Sequence, residues 1–243
     1  MNMSARPYLQ EVSIRSDTEL DFSSYPFSIP AVRRLDSLKF HPDVTFFVGE
    51  NGAGKSTVLE AIAMAMGLGS EGGTRDYQVH RSKNSASNLH ESLKLTKSFR
   101  KPADSYFLRA ESFFNVATYL EDIQSPSRSF HQCSHGEAFI RLLIETFRGK
   151  GLYLLDEPEA ALSPTRQLAA LSAIHQLVQH ESQFIIATHS PILLSYPNAK
   201  ILQFDESGIS EVAYEDTEHF SVTKDFLNHY SRRLDQLLGD EFP

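Results

Sequence analysis

Gly49-Glu50-Asn51-Gly52-Ala53-Gly54-Lys55-Ser56-Thr57 is the stretch from which the fold can be read. It fits G-x-x-x-x-G-K-[ST], the pattern of a phosphate-binding loop. The glycines let backbone N–H groups converge on phosphate oxygens with no Cβ in the way. Lys55 can reach the β- and γ-phosphates, and the Ser56 hydroxyl is placed to ligate Mg²⁺. Both flanks fit. Val44 to Val48 (V-T-F-F-V) is a continuous apolar, β-rich run, as a strand buried on both faces requires. Thr57 to Met66 (T-V-L-E-A-I-A-M-A-M) is rich in helix formers and would aim its N-terminal dipole at the phosphates. A glycine-rich turn that only joined strand to helix would need neither the Lys-Ser pair nor this context.

The chain of 243 residues suits one α/β domain, or one domain with a small lobe. Cys133 is its only cysteine, so no disulfide forms within the chain, which fits a reducing cytoplasm. No stretch has the charged-then-apolar form of a signal peptide. No apolar run approaches the roughly 20 residues of a membrane span. The expected location is therefore cytoplasmic. A net charge of −8 argues against a uniformly basic nucleic-acid binder and leaves room for a local basic face. From Arg75 to Arg109 cations outnumber anions, whereas the region beyond Asp205 is strongly acidic. Solvated surface charge is the ordinary reading of both, and the basic stretch is also the one sequence feature that would support a nucleic-acid partner.

Outside the loop, Tyr8–Ile14 and Phe22–Ile29 read as short strands, with Pro26 and Pro30 confining the second to an edge. Glu91–Phe99 alternates apolar and polar residues as a strand does, and Ser105–Arg109 reads as another. Helices are expected at Phe113–Ile123, Gly136–Phe147, Pro164–His180 and Phe220–Leu238, with a loop at Gln124–Ser129. Ser163 and Pro164 open the third helix as N-cap and first helical residue. Leu152–Leu155 and Gln183–Ala187 read as buried strands, and Lys200–Phe204 with Gly208–Tyr214 as a closing hairpin. Alternating strands and helices predict a mostly parallel, layered sheet.

Three further motifs carry chemistry. Leu152-Tyr-Leu-Leu-Asp156-Glu157 has the Walker B form. Its strand would deliver Asp156 to a Mg²⁺ shell at the carboxyl end of the sheet, and Glu157 would polarise an attacking water. Ala187-Thr-His189-Ser-Pro191 follows the next strand and offers His189 to a γ-phosphate or to that water. Cys133-Ser-His-Gly-Glu137 opens a helix whose free N–H groups could face an anion, though an ordinary capped helix would look the same.

In this order, from about Val44 to Pro191, the pieces resemble the ATP-binding cassette (ABC) ATPase superfamily. Asp156-Glu-Pro-Glu-Ala-Ala-Leu-Ser-Pro164 and Ala187-Thr-His-Ser-Pro191 are similar to its soluble members. Those are the heads of chromosome-maintenance and DNA-repair ATPases, and small stand-alone bacterial ATPases of overcoming-lysogenisation type. The resemblance implies an α/β P-loop fold with a mostly parallel sheet, an N-terminal antiparallel β part and a small helical lobe. It implies one domain over residues 1–243, with an insertion or helical lobe at about 74–134 and a C-terminal helix at about 215–243. It implies that ATP binds along Gly49, Glu50, Asn51, Gly52, Ala53, Gly54, Lys55, Ser56 and Thr57. It also implies that Ser56 and Asp156 hold Mg²⁺, that Glu157 is the catalytic base and that His189 is the switch histidine. Ser134, Gly136 and Glu137 match the signature motif, which binds the γ-phosphate held by a second subunit. Glu159 to Ser163 fall on the dimer-contacting D-loop.

The chain departs from this pattern in three places. Cys133 stands for the usual leucine, His135 for the first signature glycine, and no clear glutamine loop is present. Glu111 takes that Mg²⁺-sensing place by position, with Gln78 as the other option. Tyr25 and Phe27 are the aromatic candidates for stacking on adenine. The expected activity is Mg²⁺-dependent ATP hydrolysis by a head-to-tail homodimer. Its output could lie in DNA maintenance, repair or defence, with a nucleic-acid or nuclease partner. The alternatives are a transporter's nucleotide-binding subunit, or an ATP-sensing module with little turnover.

Overall fold

The computed structural model describes residues 6–69, 73–74, 77–78, 88–109 and 135–239. Its strands are β1 (Leu9–Ile14), β2 (Leu38–Lys39), β3 (Val44–Val48), β4 (Gly73–Thr74), β5 (Tyr77–Gln78), β6 (Leu93–Lys97), β7 (Asp104–Arg109), β8 (Gly151–Asp156), β9 (Gln183–Ala187), β10 (Lys200–Asp205) and β11 (Gly208–Glu211). Its α-helices are α1 (Pro30–Arg33), α2 (Lys55–Ala65), α3 (Leu89–Ser92), α4 (His135–Arg141), α5 (Pro164–Gln179), α6 (Pro191–Leu194), α7 (Glu218–Asn228) and α8 (Tyr230–Leu238).

The main sheet runs β11-β10-β3-β9-β8-β7-β4-β5. Its middle strands, β10, β3, β9, β8 and β7, are parallel. Strands β11 and β4 flank them antiparallel. A second, antiparallel sheet, β2-β1-β6, is the N-terminal β part.

Successive residues on a strand face opposite sides, so an all-apolar strand feeds two cores. Phe46, Tyr153 and Phe184 join one apolar cluster with α4 and α5 residues such as Phe139 and Ile174. Their neighbours Phe47, Leu154 and Ile185 join the other, with α2 residues such as Leu59 and Ile62 and with Leu9 of β1. In the first core Phe147 stacks on Tyr153 with ring centroids 4.0 Å apart. Each such fully buried side chain contributes about 1.5–3 kcal/mol. The strand registers set the site: Arg109 pairs with Asp156, Asp156 with Ala187, and Ala187 with Phe47. The carboxyl ends of β7, β8, β9 and β3 therefore lie level.

The structure differs from the sequence reading in particular places. Phe22–Ile29 forms turns instead of a strand. The Asp21 carboxylate accepts hydrogen bonds from the Ser23 N–H and hydroxyl, and such local bonding competes with a strand ladder. Pro30 then opens α1. The expected helix Gly136–Phe147 is α4 followed by a π-helical turn at Leu142–Thr146, closed by Phe147 N–H on the Leu142 carbonyl. The C-terminal helix is two, α7 and α8, separated at His229, where φ is −132° and ψ 27°. Asp225 of α7 accepts from Arg233 of α8 at 2.6 Å across that break. Within the span 74–134, β6 belongs to the small sheet and β7 to the main one. The helix expected at Phe113–Ile123 and the loop at Gln124–Ser129 lie outside the described residues. Among the described residues, no helix is long and apolar enough to cross a membrane.

Candidate functional site

The loop leaves β3 at Gly49, whose backbone φ of +138° lies in the region that favours glycine. Space forbids a side chain there as well. A Cβ would stand 2.2 Å from the carbonyl oxygen of Phe204 at the end of β10. Gly52 at the loop's crest also has positive φ, +83°, but nothing lies within 4 Å of its Cβ direction. Lys55, the first residue of α2, is buried, and its Nζ donates to the carbonyls of Gly49 (2.8 Å) and Glu50 (3.0 Å). The ammonium thus sits under the arch of its own loop. Burial lowers its pKa, while Glu157, Asp156 and Glu159 pull the other way.

Ser56 meets Asp156 across the sheet, its hydroxyl donating to Oδ1 at 2.8 Å. Asp156 is buried, which pushes its carboxyl pKa up, and the Ser56 bond and the Arg109 guanidinium offset this. Arg109 Nε lies 3.4 Å from Asp156 Oδ2, and its Nη1 lies 2.9 Å from Glu60 Oε2 of α2. Sequence reasoning did not single out Arg109. Its signal is the β7–β8 register, which no local pattern encodes.

Glu157 sits in the left-handed region, φ 49° and ψ 51°, with its N–H bonded to the Ala187 carbonyl at 2.9 Å. For a residue with a side chain this conformation costs about 1–3 kcal/mol, and it persists where the surroundings impose it. The kink turns Glu157 out of the strand into a cavity of about 640 Å³. Glu50, Asn51, Glu157 and His189 line that cavity together with Glu218, His219 and Val222 of α7.

His189 is held from both sides. Its N–H donates to Glu159 Oε1 at 2.5 Å, and the Thr188 hydroxyl donates to Glu159 Oε2 at 2.7 Å. The Glu159 carboxylate is therefore turned inward onto the β9–α6 connection, and burial raises its pKa despite these donors. Ser190 caps α6 by accepting from Leu193 N–H, and its hydroxyl donates to Gln167 at 2.6 Å. The His189 ring lies 3.8 Å from Glu157, measured from Nε2 to Oε1, and its Nδ1 is 3.0 Å from His219 Nε2. Burial lowers the pKa of both imidazoles, and the Lys55 charge adds to it.

The sign of the resulting pH effect follows from linkage. A histidine whose folded pKa lies below its ordinary 6.5 binds fewer protons folded than unfolded. Its contribution is complete above about 6.5 and is lost as pH falls toward the lower folded value. Asp156 and Glu159, with raised pKa values, act with the opposite sign. The expected result is that acidification below pH 6.5 costs the native chain more stability than it costs a His189→Gln/His219→Gln variant. Urea midpoints at several pH values check this, and parallel curves would contradict it.

The remaining candidates divide. Gly136 in α4 is buried against the turn after β8; a Cβ there would lie 2.7 Å from the Ala161 carbonyl oxygen. Glu137 pairs with Arg141 along α4 at 3.4 Å. Ser134 and Glu111 lie outside the described residues, as does Cys133. Gln78 is in β5, far along the sheet order from β3. Tyr25 is exposed beside the loop, its hydroxyl 3.2 Å from Thr57 Oγ1, whereas Phe27 is 5% exposed and belongs to the core.

Chemically, the arrangement offers an ammonium held under a glycine-rich loop by two loop carbonyls, a hydroxyl–carboxylate pair, and a carboxylate next to an imidazole at an open cavity. Among the described residues no group of three His, Cys, Asp or Glu could form an all-protein metal cage. A hydroxyl with one carboxylate is instead how Mg²⁺ is held when phosphates and water complete its shell.

The family described as AAA domain matches residues 20–235. No curated protein matches. Among solved structures, the SMC head domain from Thermotoga maritima is similar, with a TM-score of 0.45 and 14% identity over 84% of this chain and 98% of that one. A metal-chelate type ABC transporter in an inward-facing conformation is also similar, with a TM-score of 0.43 and 17% identity over 75% of this chain and 76% of that one. With the family matched over residues 20–235, the chain belongs to the AAA domain family.

Proposed function

We propose that the chain binds ATP with Mg²⁺ on the Gly49–Thr57 loop and hydrolyses it, two copies closing head to tail around two nucleotides. The observation that carries this reading is the 2.8 Å contact of Ser56 Oγ with Asp156 Oδ1. The contact sets a hydroxyl and a carboxylate side by side at the foot of the loop, the pair that would hold Mg²⁺ with phosphates and water completing its shell. Bound there, Mg²⁺ would neutralise charge on the β- and γ-phosphate oxygens.

The protein's own groups do the rest. The loop N–H groups and Lys55 hold the phosphates and stabilise charge that grows on them in the transition state. Glu157, aimed into the cavity by its left-handed backbone, orients water for attack along the line of the leaving oxygen. His189 stands beside it as a donor to the γ-phosphate. Tyr25, exposed beside the loop, offers its ring to the base. Phe27 is committed to the core and plays no such part.

The homodimer rests on the placement of Gly136. Close approach of α4 to the 158–161 turn sets Gly136 beside the segment that the resemblance likens to the D-loop, which supports a shared dimer surface there. A second copy would bring its loop and nucleotide to that surface. The test uses Glu157→Gln, which keeps the shape of the site and removes the base. With ATP and Mg²⁺ it is expected to elute from a sizing column as a dimer, and with ADP as a monomer. Elution as a monomer in both conditions would remove the sandwich.

A further inference from the structure

His189 and His219 come from segments 30 residues apart, yet His189 Nδ1 and His219 Nε2 are 3.0 Å apart. The rings are tilted at 48° with centroids 5.1 Å apart, so they meet edge to edge through nitrogen and are not stacked. The other nitrogen of each ring, His189 Nε2 and His219 Nδ1, is buried and makes no hydrogen bond among the described residues. His219 is fixed in turn by its helix. Thr217 caps α7, accepting from Phe220 N–H at 3.3 Å, and Tyr214 packs on Phe220 and donates to the Pro191 carbonyl at 2.8 Å. The ring is therefore tied to α6, the helix that follows His189.

The contact decides a tautomer. Two neutral imidazoles can share one hydrogen bond in only two ways. If His189 donated from Nδ1, its Nε2 would carry a bare lone pair toward the Glu157 carboxylate at 3.8 Å. If His219 donates from Nε2, His189 accepts at Nδ1 and presents an Nε2–H to Glu157. With Glu157 3.8 Å from His189 Nε2, the second arrangement is the favourable one, because the proton then faces that carboxylate; Lys55 and Glu218 are the other charges acting on the pair. A γ-phosphate oxygen can only accept, so the second arrangement is also the one that could bind it.

We propose that His219 is a positioning residue, which donates its Nε2–H to His189 and so locks the His189 ring as an Nε2–H donor aimed into the nucleotide cavity. This rests on the reading that the cavity takes the γ-phosphate. Through the same bond, α7 is coupled to the occupancy of the site, since a group drawing on His189 Nε2 strengthens the His219 donation behind it.

The test joins spectroscopy of the nucleotide-free chain with steady-state kinetics on His219→Ala and His219→Gln. Glutamine can offer its own amide N–H where the imidazole Nε2–H stood. Long-range ¹H–¹⁵N spectra should find His189 protonated at Nε2 and bare at Nδ1 in the native chain and in His219→Gln, and a mixture of tautomers in His219→Ala. In ATP turnover, kcat should fall roughly tenfold in His219→Ala, the low end of losses when the group orienting a functional histidine is removed. KM should hold, and His219→Gln should recover most of the loss. The same His189 tautomer in His219→Ala, or equal loss in both variants, would overturn the proposal. If His219→Ala does not fold, the His219→Gln spectrum alone decides, since a tautomer different from the native one refutes the donation. Should the native chain turn over no ATP, the nucleotide reading fails, while the spectra still decide which ring of the pair donates.

Discussion

Glu157→Gln is expected to lower ATP turnover roughly a thousandfold, within the range a positioned general base contributes, while leaving ATP affinity within a few-fold of native. Phosphate release at saturating ATP, set beside equilibrium binding of a fluorescent nucleotide, separates the two quantities. The asymmetry follows from where Glu157 stands. It lines the cavity with Glu50 and Asn51, and among the described residues no hydrogen bond fastens its side chain to the loop. Its N–H is tied to Ala187 by the backbone, which glutamine preserves along with the left-handed kink. A fall of less than tenfold would mean that the water is activated elsewhere. A parallel loss of binding would mean that Glu157 holds the nucleotide and not the water.

Lys55→Ala should act at the earlier step and weaken ATP binding by about a hundredfold or more, the cost of truncating one side of a buried charged contact. In the free protein Lys55 satisfies the carbonyls of Gly49 and Glu50 and sits among Glu157, Asp156 and Glu159. Its removal leaves those carbonyls unpaired beneath the loop and three carboxylates without their shared counter-charge. Lys55→Met keeps most of the side-chain volume and tells the two losses apart: it should bind as poorly as alanine yet melt closer to native. Calorimetric titration with ATP measures the affinity, and circular dichroism the melting point. Affinity within threefold of native in both variants would remove the loop as the phosphate site.

The parts of this architecture that were legible in the sequence are those governed by short-range rules. Val44–Val48, Leu152–Leu155 and Gln183–Ala187 are mostly apolar on both faces because each strand feeds two cores, and their shortness and β-branched or aromatic content set them apart from a buried helix. Gly49 to Thr57 is confined to one loop, and Asp156, Glu157 and His189 directly follow those strands. The illegible parts depend on partners distant along the chain, or on one side chain bonding its own backbone. The Asp21–Ser23 turn replaced a plausible strand, and Asp225 bridges two helices where the apolar spacing suggested one. Arg109 reaches Asp156 through a pairing between strands 42 or more residues apart in the chain. His219 lies in an acidic segment with nothing around it to suggest a site, and only the packing of α7 brings it to His189. Gly136 and Glu137 of the signature-like stretch are described, whereas Ser134 and Glu111 are not among the described residues.

The two crest and base glycines of the loop answer to different masters. At 49 the obstacle is the carbonyl of Phe204, a piece of the neighbouring strand that is there whether or not any nucleotide binds. At 52 the space is open, and only the backbone angle resists a side chain. Glycine at 49 is thus fixed by the neighbouring strand itself, whereas at 52 asparagine, which tolerates left-handed angles, could stand without a clash.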